Sequence, residues 1–249
     1  MDKTGSFPHR DLIPEWEAHL EPKAPDQVIQ WGSDTFRERL AFASSLGAED
    51  QVITHFLAQV HPEIRTFTLD TGRLFPETYK LIASTEARYN LKIEIFPPDS
   101  SEVESMVKEH GINLFYASVE NRKLCCAVRK IHPLRRALTG ADAWICGLRR
   151  EQGATRQQVR VVEWDDQNAI VKINPLWNWA EPSVWDFIRQ NRIPYNPLHD
   201  EGFPSIGCSC CTRAVAPGQD VRAGRWWWEH PGQKECGLHL KDGRLVRAE

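Results

Sequence analysis

Five of the chain's seven cysteines fall into two groups whose spacing suits metal chemistry. Cys208 and Cys211, in Gly207-Cys208-Ser209-Cys210-Cys211-Thr212-Arg213, have the CxxC spacing that lets a tight turn aim two thiolates at one ion or cluster. A tandem pair, Cys125-Cys126, lies far upstream. Adjacent Cα atoms sit about 3.8 Å apart, short of the usual disulfide range of about 4.4–6.8 Å, so this pair is poorly placed to bridge itself. Two plus two gives four thiolates, a set that suits structural zinc or a [4Fe-4S] cluster. The plainer alternative is a group of buried, reduced cysteines packing as small hydrophobes. Twenty-five positions beyond Cys211 a separate thiol, Cys236, stands in Lys234-Glu235-Cys236-Gly237-Leu238-His239. It reads as a nucleophile on a tether.

Composition sets the context for these sulfurs. The N-terminus lacks the apolar stretch of an export signal and no apolar run reaches transmembrane length, so a cytoplasmic location is expected. In that reducing compartment cysteines serve as ligands or catalytic thiols rather than as a disulfide framework. An odd count leaves at least one over, and Cys236 is the candidate working thiol. Cys146 sits inside an apolar strand, Ala143-Trp144-Ile145-Cys146, and reads as structural. The net charge of -3 argues against non-specific binding of nucleic acid but allows a local basic pocket for a small anion.

The elements that must hold these groups alternate. Residues 39–44 read as a buried strand running into a small-residue turn and a helix with Val52, Ile53, Phe56, Leu57 and Val60 at helical spacing. Such a turn can hold phosphate on free backbone N–H groups, although a plain strand-to-helix turn with Glu49 and Asp50 as first-turn acids fits equally. Residues 65–69, 91–96 and 143–148 read as further strands, with helices from Pro76 and over 101–110. Alternation of this kind predicts a mainly parallel α/β sheet with its ligand site at the carboxyl ends of the strands. The segment 122–138 reads as a helix broken at Pro133, and its cations as an ordinary solvated face, with Lys130 set apart as an ammonium near the thiols. Residues 159–164 and 170–173 read as a hairpin. The chain divides into an N-terminal arm (1–30), an α/β domain (31–212) and a C-terminal lid segment (213–249) carrying Cys236.

The ordered set SSLGAED (44–50), LDTGRLFPETY (69–79), Cys125-Cys126, GLRREQ (147–152), Cys208/Cys211 and KECGLH (234–239) resembles the assimilatory adenylylsulfate reductases, the iron-sulfur branch of the family that also contains 3′-phosphoadenylylsulfate reductases. The resemblance spans roughly residues 40–240. It implies a Rossmann-like adenine nucleotide α-hydrolase fold with a mobile C-terminal tail. It also implies a [4Fe-4S] cluster on Cys125, Cys126, Cys208 and Cys211, and a nucleophile at Cys236. Lys130, Arg222, Arg225 and His239 would surround the sulfate end of the substrate, and Ser44, Leu69, Gly147 and Arg149 the nucleotide. Two features depart from the pattern: Cys210, an additional thiol inside the CxxC pair, which opens the ligand choice between Cys210 and Cys211, and Cys146.

The activity so implied is thioredoxin-dependent reduction of adenosine 5′-phosphosulfate to sulfite and AMP through an S-sulfocysteine, serving cysteine biosynthesis, with no nucleic-acid or membrane partner and room for a homo-oligomer. Competing readings are a 3′-phosphoadenylylsulfate reductase or dual-substrate enzyme, an ATP-using tRNA thiolation enzyme on the same phosphate-loop fold, and a zinc-stabilised adapter without catalysis.

Overall fold

The computed structural model describes residues 9–153 and 156–230. Six strands form one sheet in the order β3-β2-β1-β4-β6-β5: β1 Leu40–Ala43, β2 Arg65–Leu69, β3 Ile93–Phe96, β4 Ala143–Ile145, β5 Val162–Asp165 and β6 Ile170–Ile173. Every neighbouring pair is parallel except β5 with β6. That pair is the hairpin expected over 159–173, with Val162 opposite Ile173 and Asp165 opposite Ile170.

The central parallel strands β1 (LAFA) and β4 (AWI) are short and wholly apolar because both of their faces are covered, whereas the edge strand β3 leaves Glu94 and Ile95 exposed. Leu40, Phe42, Phe67, Ile145, Val171 and Ile173 are withdrawn from water, each contributing roughly 1.5–3 kcal/mol of transfer free energy. Helices α3 (Ala48–Val60), α4 (Pro76–Tyr89) and α8 (Glu181–Asn191) supply much of the cover, while α5 (Ser100–His110) buries Met106 in the cluster that holds the cysteines. α4 and α8 each begin with proline in the first turn, where its missing N–H costs nothing. α5 is capped by Asp99, whose carboxylate accepts from the N–H of Ser101 and Glu102.

Two expectations change. The stretch read as a surface arm contains helix α1 (Ile13–Leu20) and the start of α2 (Pro25–Phe36), and it places Leu20, Val28 and Ile29 in the core. Its signal was weak because few apolar positions of these two short helices are buried, Leu20 in α1 and Val28, Ile29 and Phe36 in α2, with Trp16, Trp31 and Phe36 meeting edge to face at 5.2–5.8 Å. The second change concerns the cysteine-bearing helix. It is not broken at Pro133. α6 (Val119–Cys126) passes through a wide π turn over Ala127–Ile131 into α7 (His132–Ala137), with the His132 N–H reaching back to the Ala127 carbonyl. One widened turn accommodates the proline that an α ladder would reject.

Candidate active site and the adjoining thiol cavity

The carboxyl ends of β1, β2 and β4 open onto a cavity of about 260 Å³. β1 delivers Ser44 and Ser45, β2 delivers Leu69 and Thr71, and β4 delivers Cys146, Gly147 and Arg149. Gly207, Cys208, Arg222, Arg225 and Trp226 close it from the later chain. Seven residues that the resemblance assigns to substrate, namely Ser44, Leu69, Lys130, Gly147, Arg149, Arg222 and Arg225, line this one space. The eighth, His239, lies outside the described residues, as does Cys236.

The β1–α3 turn is closed on itself. Leu46 N–H donates to Ser44 Oγ at 3.2 Å, Gly47 N–H to Ser45 Oγ at 3.4 Å, and both the N–H and the hydroxyl of Ser45 to Asp50 Oδ2 at 2.6 Å. Leu46 holds a left-handed φ of 61° to make this turn. The amides are therefore engaged by side chains of the turn, an arrangement closer to the plain strand-to-helix turn than to an open phosphate cradle. Burial pushes the Asp50 carboxyl up to about 6, against the Ser45 hydrogen bonds, which pull it down. Gly147 is required opposite it, because a Cβ there would collide with the Asp50 carboxylate and the Glu49 side chain.

Arg149 is buried, and its charge is matched. Nε and Nη2 lie 2.8 and 2.7 Å from Glu49 Oε1, and Nη1 donates to the Trp179 carbonyl at 3.0 Å. Arg150, from the same run, faces elsewhere and stacks on Trp177 at 4.1 Å. Cys146 is buried as expected and donates to Asn174 Oδ1 at 3.0 Å. Burial pushes its thiol up to about 12, so it is a poor nucleophile.

A second, smaller cavity adjoins the first. Its lining includes Arg73, Arg129, Cys125, Cys126, Cys208, Cys210, Cys211 and Trp226. Lys130, Cys208 and Trp226 line both spaces. Cys125, Cys126, Arg129 and Lys130 all line this cavity, so two thiols and two cations share one side of the helix. Cys208 and Cys211 come from a turn held by Ser209 N–H on the Arg73 carbonyl (2.8 Å) and Cys211 N–H on the Cys208 carbonyl (2.9 Å). Cys208 Sγ also donates to Thr71 Oγ1 at 3.3 Å.

The chemistry of this pocket suits an electron-rich group. Cys125, Cys126, Cys208 and Cys211 are all 7–8% exposed. Arg129 Nε and Trp226 Nε1, both buried, have no acceptor among the described residues, and burial without a partner is costly. Burial pushes the Cys125 thiol up. Cys210 is pulled down, first by its hydrogen bond with Cys211 and then by Arg73, while the same bond and burial push Cys211 up. Among the described residues no three His, Cys, Asp or Glu converge tightly enough to hold a single ion. Thiols on a wall lined with arginine and lysine fit an electron-rich group held by thiolates.

Arg129 and Arg73 were not singled out by sequence. Arg129 is buried, not part of a solvated face, with Nη1 on the Thr71 carbonyl at 2.7 Å. Its signal was the four-residue step from Cys125. Arg73 lay in plain view at the end of β2, inside a motif quoted for other reasons. The run Trp226-Trp227-Trp228 divides. Trp226 is 1% exposed and has the guanidinium carbons of Arg122, Arg225 and Arg222 at 4.6, 4.8 and 5.8 Å from its ring. Trp227 and Trp228 pack half-buried against Tyr116.

Fold and cavities together define an α/β protein with a ligand site at the carboxyl edge of its sheet and a multi-thiol centre sharing one wall. The chain belongs to the phosphoadenosine phosphosulfate reductase domain family, whose pattern matches residues 39–214. It is 52% identical to the adenosine 5′-phosphosulfate reductase of Allochromatium vinosum over 89% of this chain and 87% of that one. It is 50% identical to the enzyme of the same name from Neisseria meningitidis serogroup B over 80% and 81%. A crystal structure of phosphoadenylyl-sulfate reductase from Candida auris, a phosphate complex, superposes with a TM-score of 0.71 at 31% identity, covering 82% of this chain and 97% of that one. FMN adenylyltransferase from Candida glabrata shares the fold alone, with a TM-score of 0.54 at 15% identity over 91% and 73%.

Proposed function

We propose that this chain reduces adenosine 5′-phosphosulfate to sulfite and AMP in sulfate assimilation. The observation that carries the reading is the common wall: Lys130 and Cys208 line both the strand-end cavity and the thiol cavity, so a nucleotide seated at the strand ends has its sulfate end beside the thiols. The named activity of relatives at about half identity supports the same substrate.

Cys236 is the nucleophile. Its thiolate attacks the sulfur of the sulfuryl group, the S–O bond to the phosphate breaks, and AMP leaves with that electron pair. An S-sulfocysteine remains on the enzyme. AMP is weakly basic, so no general acid is needed. The obstacle is repulsion between two anions, and Lys130, Arg222 and Arg225 offset it by holding positive charge where negative charge gathers. Ser44, Leu69 and Gly147 frame the nucleoside. Arg149, already paired with Glu49, shapes this wall more than it adds charge. Release needs two electrons: a dithiol of thioredoxin type attacks the Cys236 sulfur, sulfite departs with the bonding pair, and the second thiol of that partner resolves the mixed disulfide.

The residues that would hold a [4Fe-4S] cluster are Cys125, Cys126, Cys208 and Cys211, and the donors of Arg129 and Trp226 that have no acceptor among the described residues suit its thiolates and sulfides. When bound, it would supply a net negative charge that holds Lys130 in place and would tie the helix to the Cys208–Cys211 turn. We place the enzyme in the cytoplasm. Among the described residues no helix is long and apolar enough to cross a membrane.

The test is mass spectrometry after adding adenosine 5′-phosphosulfate without reductant. The peptide containing Cys236 should gain SO₃, and Cys236→Ser should not. An unmodified Cys236 peptide in iron-loaded protein would refute the nucleophile.

A further inference from the structure

Five thiols, not four, line the smaller cavity. Cys210 has no part in the reaction above, yet its Sγ lies 3.8 Å from that of Cys211. Two thiolates bound tetrahedrally to one metal atom at about 2.3 Å are about 3.8 Å apart. The pair therefore already has the separation of two sulfurs within reach of the same metal position.

We propose that Cys210 is an exchangeable fifth ligand of the iron-sulfur site, able to take the coordination position of Cys211. The inference rests on the cluster reading above and deepens it. The chain already presents one adjacent pair, Cys125-Cys126, to this cavity, so neighbouring thiols on a single turn can face it together. The backbone around Cys210 is pinned: Tyr116 donates its hydroxyl to the Cys210 carbonyl at 2.9 Å, and Trp226 N–H donates to the Cys211 carbonyl at 3.1 Å. Exchange thus needs a side-chain rotation and no movement of the turn. Cys210 is also the least buried of the five, which suits a reserve thiol at the cavity mouth. In the exchange one iron–sulfur bond to Cys211 breaks and one to Cys210 forms. The incoming thiol gives up its proton as the departing thiolate takes one, and no electron is transferred.

The experiment uses the full chain purified without oxygen and reads iron, acid-labile sulfide and the visible absorption of the cluster. Cys210→Ser and Cys211→Ser should each keep close to the wild-type iron content, whereas the double variant and Cys208→Ser, which has no spare neighbour, should lose most of it. A Cys211→Ser protein as iron-poor as the double variant would overturn the proposal. Wild-type protein without iron would instead sink the cluster reading itself. A second measurement covers a variant that fails to fold. Wild-type holoprotein is alkylated under anaerobic conditions and its tryptic peptide fragmented. Exchange predicts singly labelled chains carrying the label on either Cys210 or Cys211 with iron retained, and label confined to Cys210 contradicts it.

Discussion

Arg122 grips Glu229 through two bonds, Nε to Oε1 at 2.9 Å and Nη2 to Oε2 at 2.8 Å, with side chains only 0% and 2% exposed. The pair joins α6, two turns of chain that end in Cys125 and Cys126, to the end of the described chain. The Arg122 guanidinium also lies over Trp226 at 4.6 Å, and the Cys126 thiol bears on its charge. Glu229 is seven residues before Cys236, a reach of at most about 25 Å of extended chain. The chain leading toward Cys236 is thus fastened beside the thiol cavity at Glu229.

Removing one partner should be expensive. Glu229→Ala leaves a buried guanidinium without its counter-charge, a loss of roughly 3–5 kcal/mol, and thermal unfolding should show a clear fall in Tm. Glu229→Gln keeps one acceptor and should fall less. The same variants should slow single-turnover sulfonation of Cys236 more than they weaken nucleotide binding, because the cavity at the strand ends does not include Glu229. Equal losses in both would make the pair purely structural.

Gly147 makes a sharper test of the nucleotide wall. It is the first residue of GLRREQ, and a Cβ there would meet Asp50 and Glu49, which arrive from a different strand-helix unit. Gly147→Ala should displace the Asp50 carboxylate from Ser45 and distort the β1–α3 turn. Equilibrium binding of AMP should weaken by at least tenfold, with iron content unchanged, since the thiol cavity is lined from other segments.

How much of this was readable from the chain follows from the range of each interaction. The β5–β6 hairpin and the strand-turn-helix at residues 40–60 depend on neighbours a few positions apart, and their periodicity announced them. The thiol groups announced themselves by residue type. Arg122 and Glu229 are 107 positions apart, and nothing local distinguishes Arg122 from Arg135 or Arg136, which are exposed on the next helix. Trp226 was legible as an aromatic but not as the one of three that packs under three guanidiniums. The burial of α1 and α2 was hidden because it rests on a few positions, Leu20, Val28, Ile29 and Phe36, too few to make a stripe that periodicity detects. The closed hydrogen bonding of the β1–α3 turn depends on Asp50 being buried, a tertiary fact.

The pH dependence of stability should carry the mark of Asp50. Its carboxyl moves from an ordinary 3.8 to about 6 on burial, so between those values the folded chain holds a proton that the unfolded chain has released. The stability this contributes is complete below about pH 4 and is lost as pH rises through about 6. The shift of about two units corresponds to about 3 kcal/mol. Asp50→Asn cannot titrate, and its carbonyl oxygen can still accept from Ser45. Denaturant unfolding at a series of pH values should show wild type losing stability relative to Asp50→Asn by about 3 kcal/mol between pH 4 and pH 7. A constant difference across that window would mean that Asp50 is charged throughout.

Lys130 gives the last prediction, because it alone among the side-chain cations lines both cavities within the described residues. If its charge offsets repulsion between the Cys236 thiolate and the sulfuryl group, then Lys130→Gln should reduce the rate of sulfonation far more than the affinity for AMP, which lacks that group. A loss of 10²–10³-fold, about the size seen when one preorganised donor is removed from an oxyanion site, is the expected scale. Lys130→Arg keeps the charge but changes the shape of the head group, so it should recover part of the rate. The partition between the two ligands decides the matter: if AMP binding drops as far as sulfonation does, Lys130 holds the nucleotide and not the reacting sulfur.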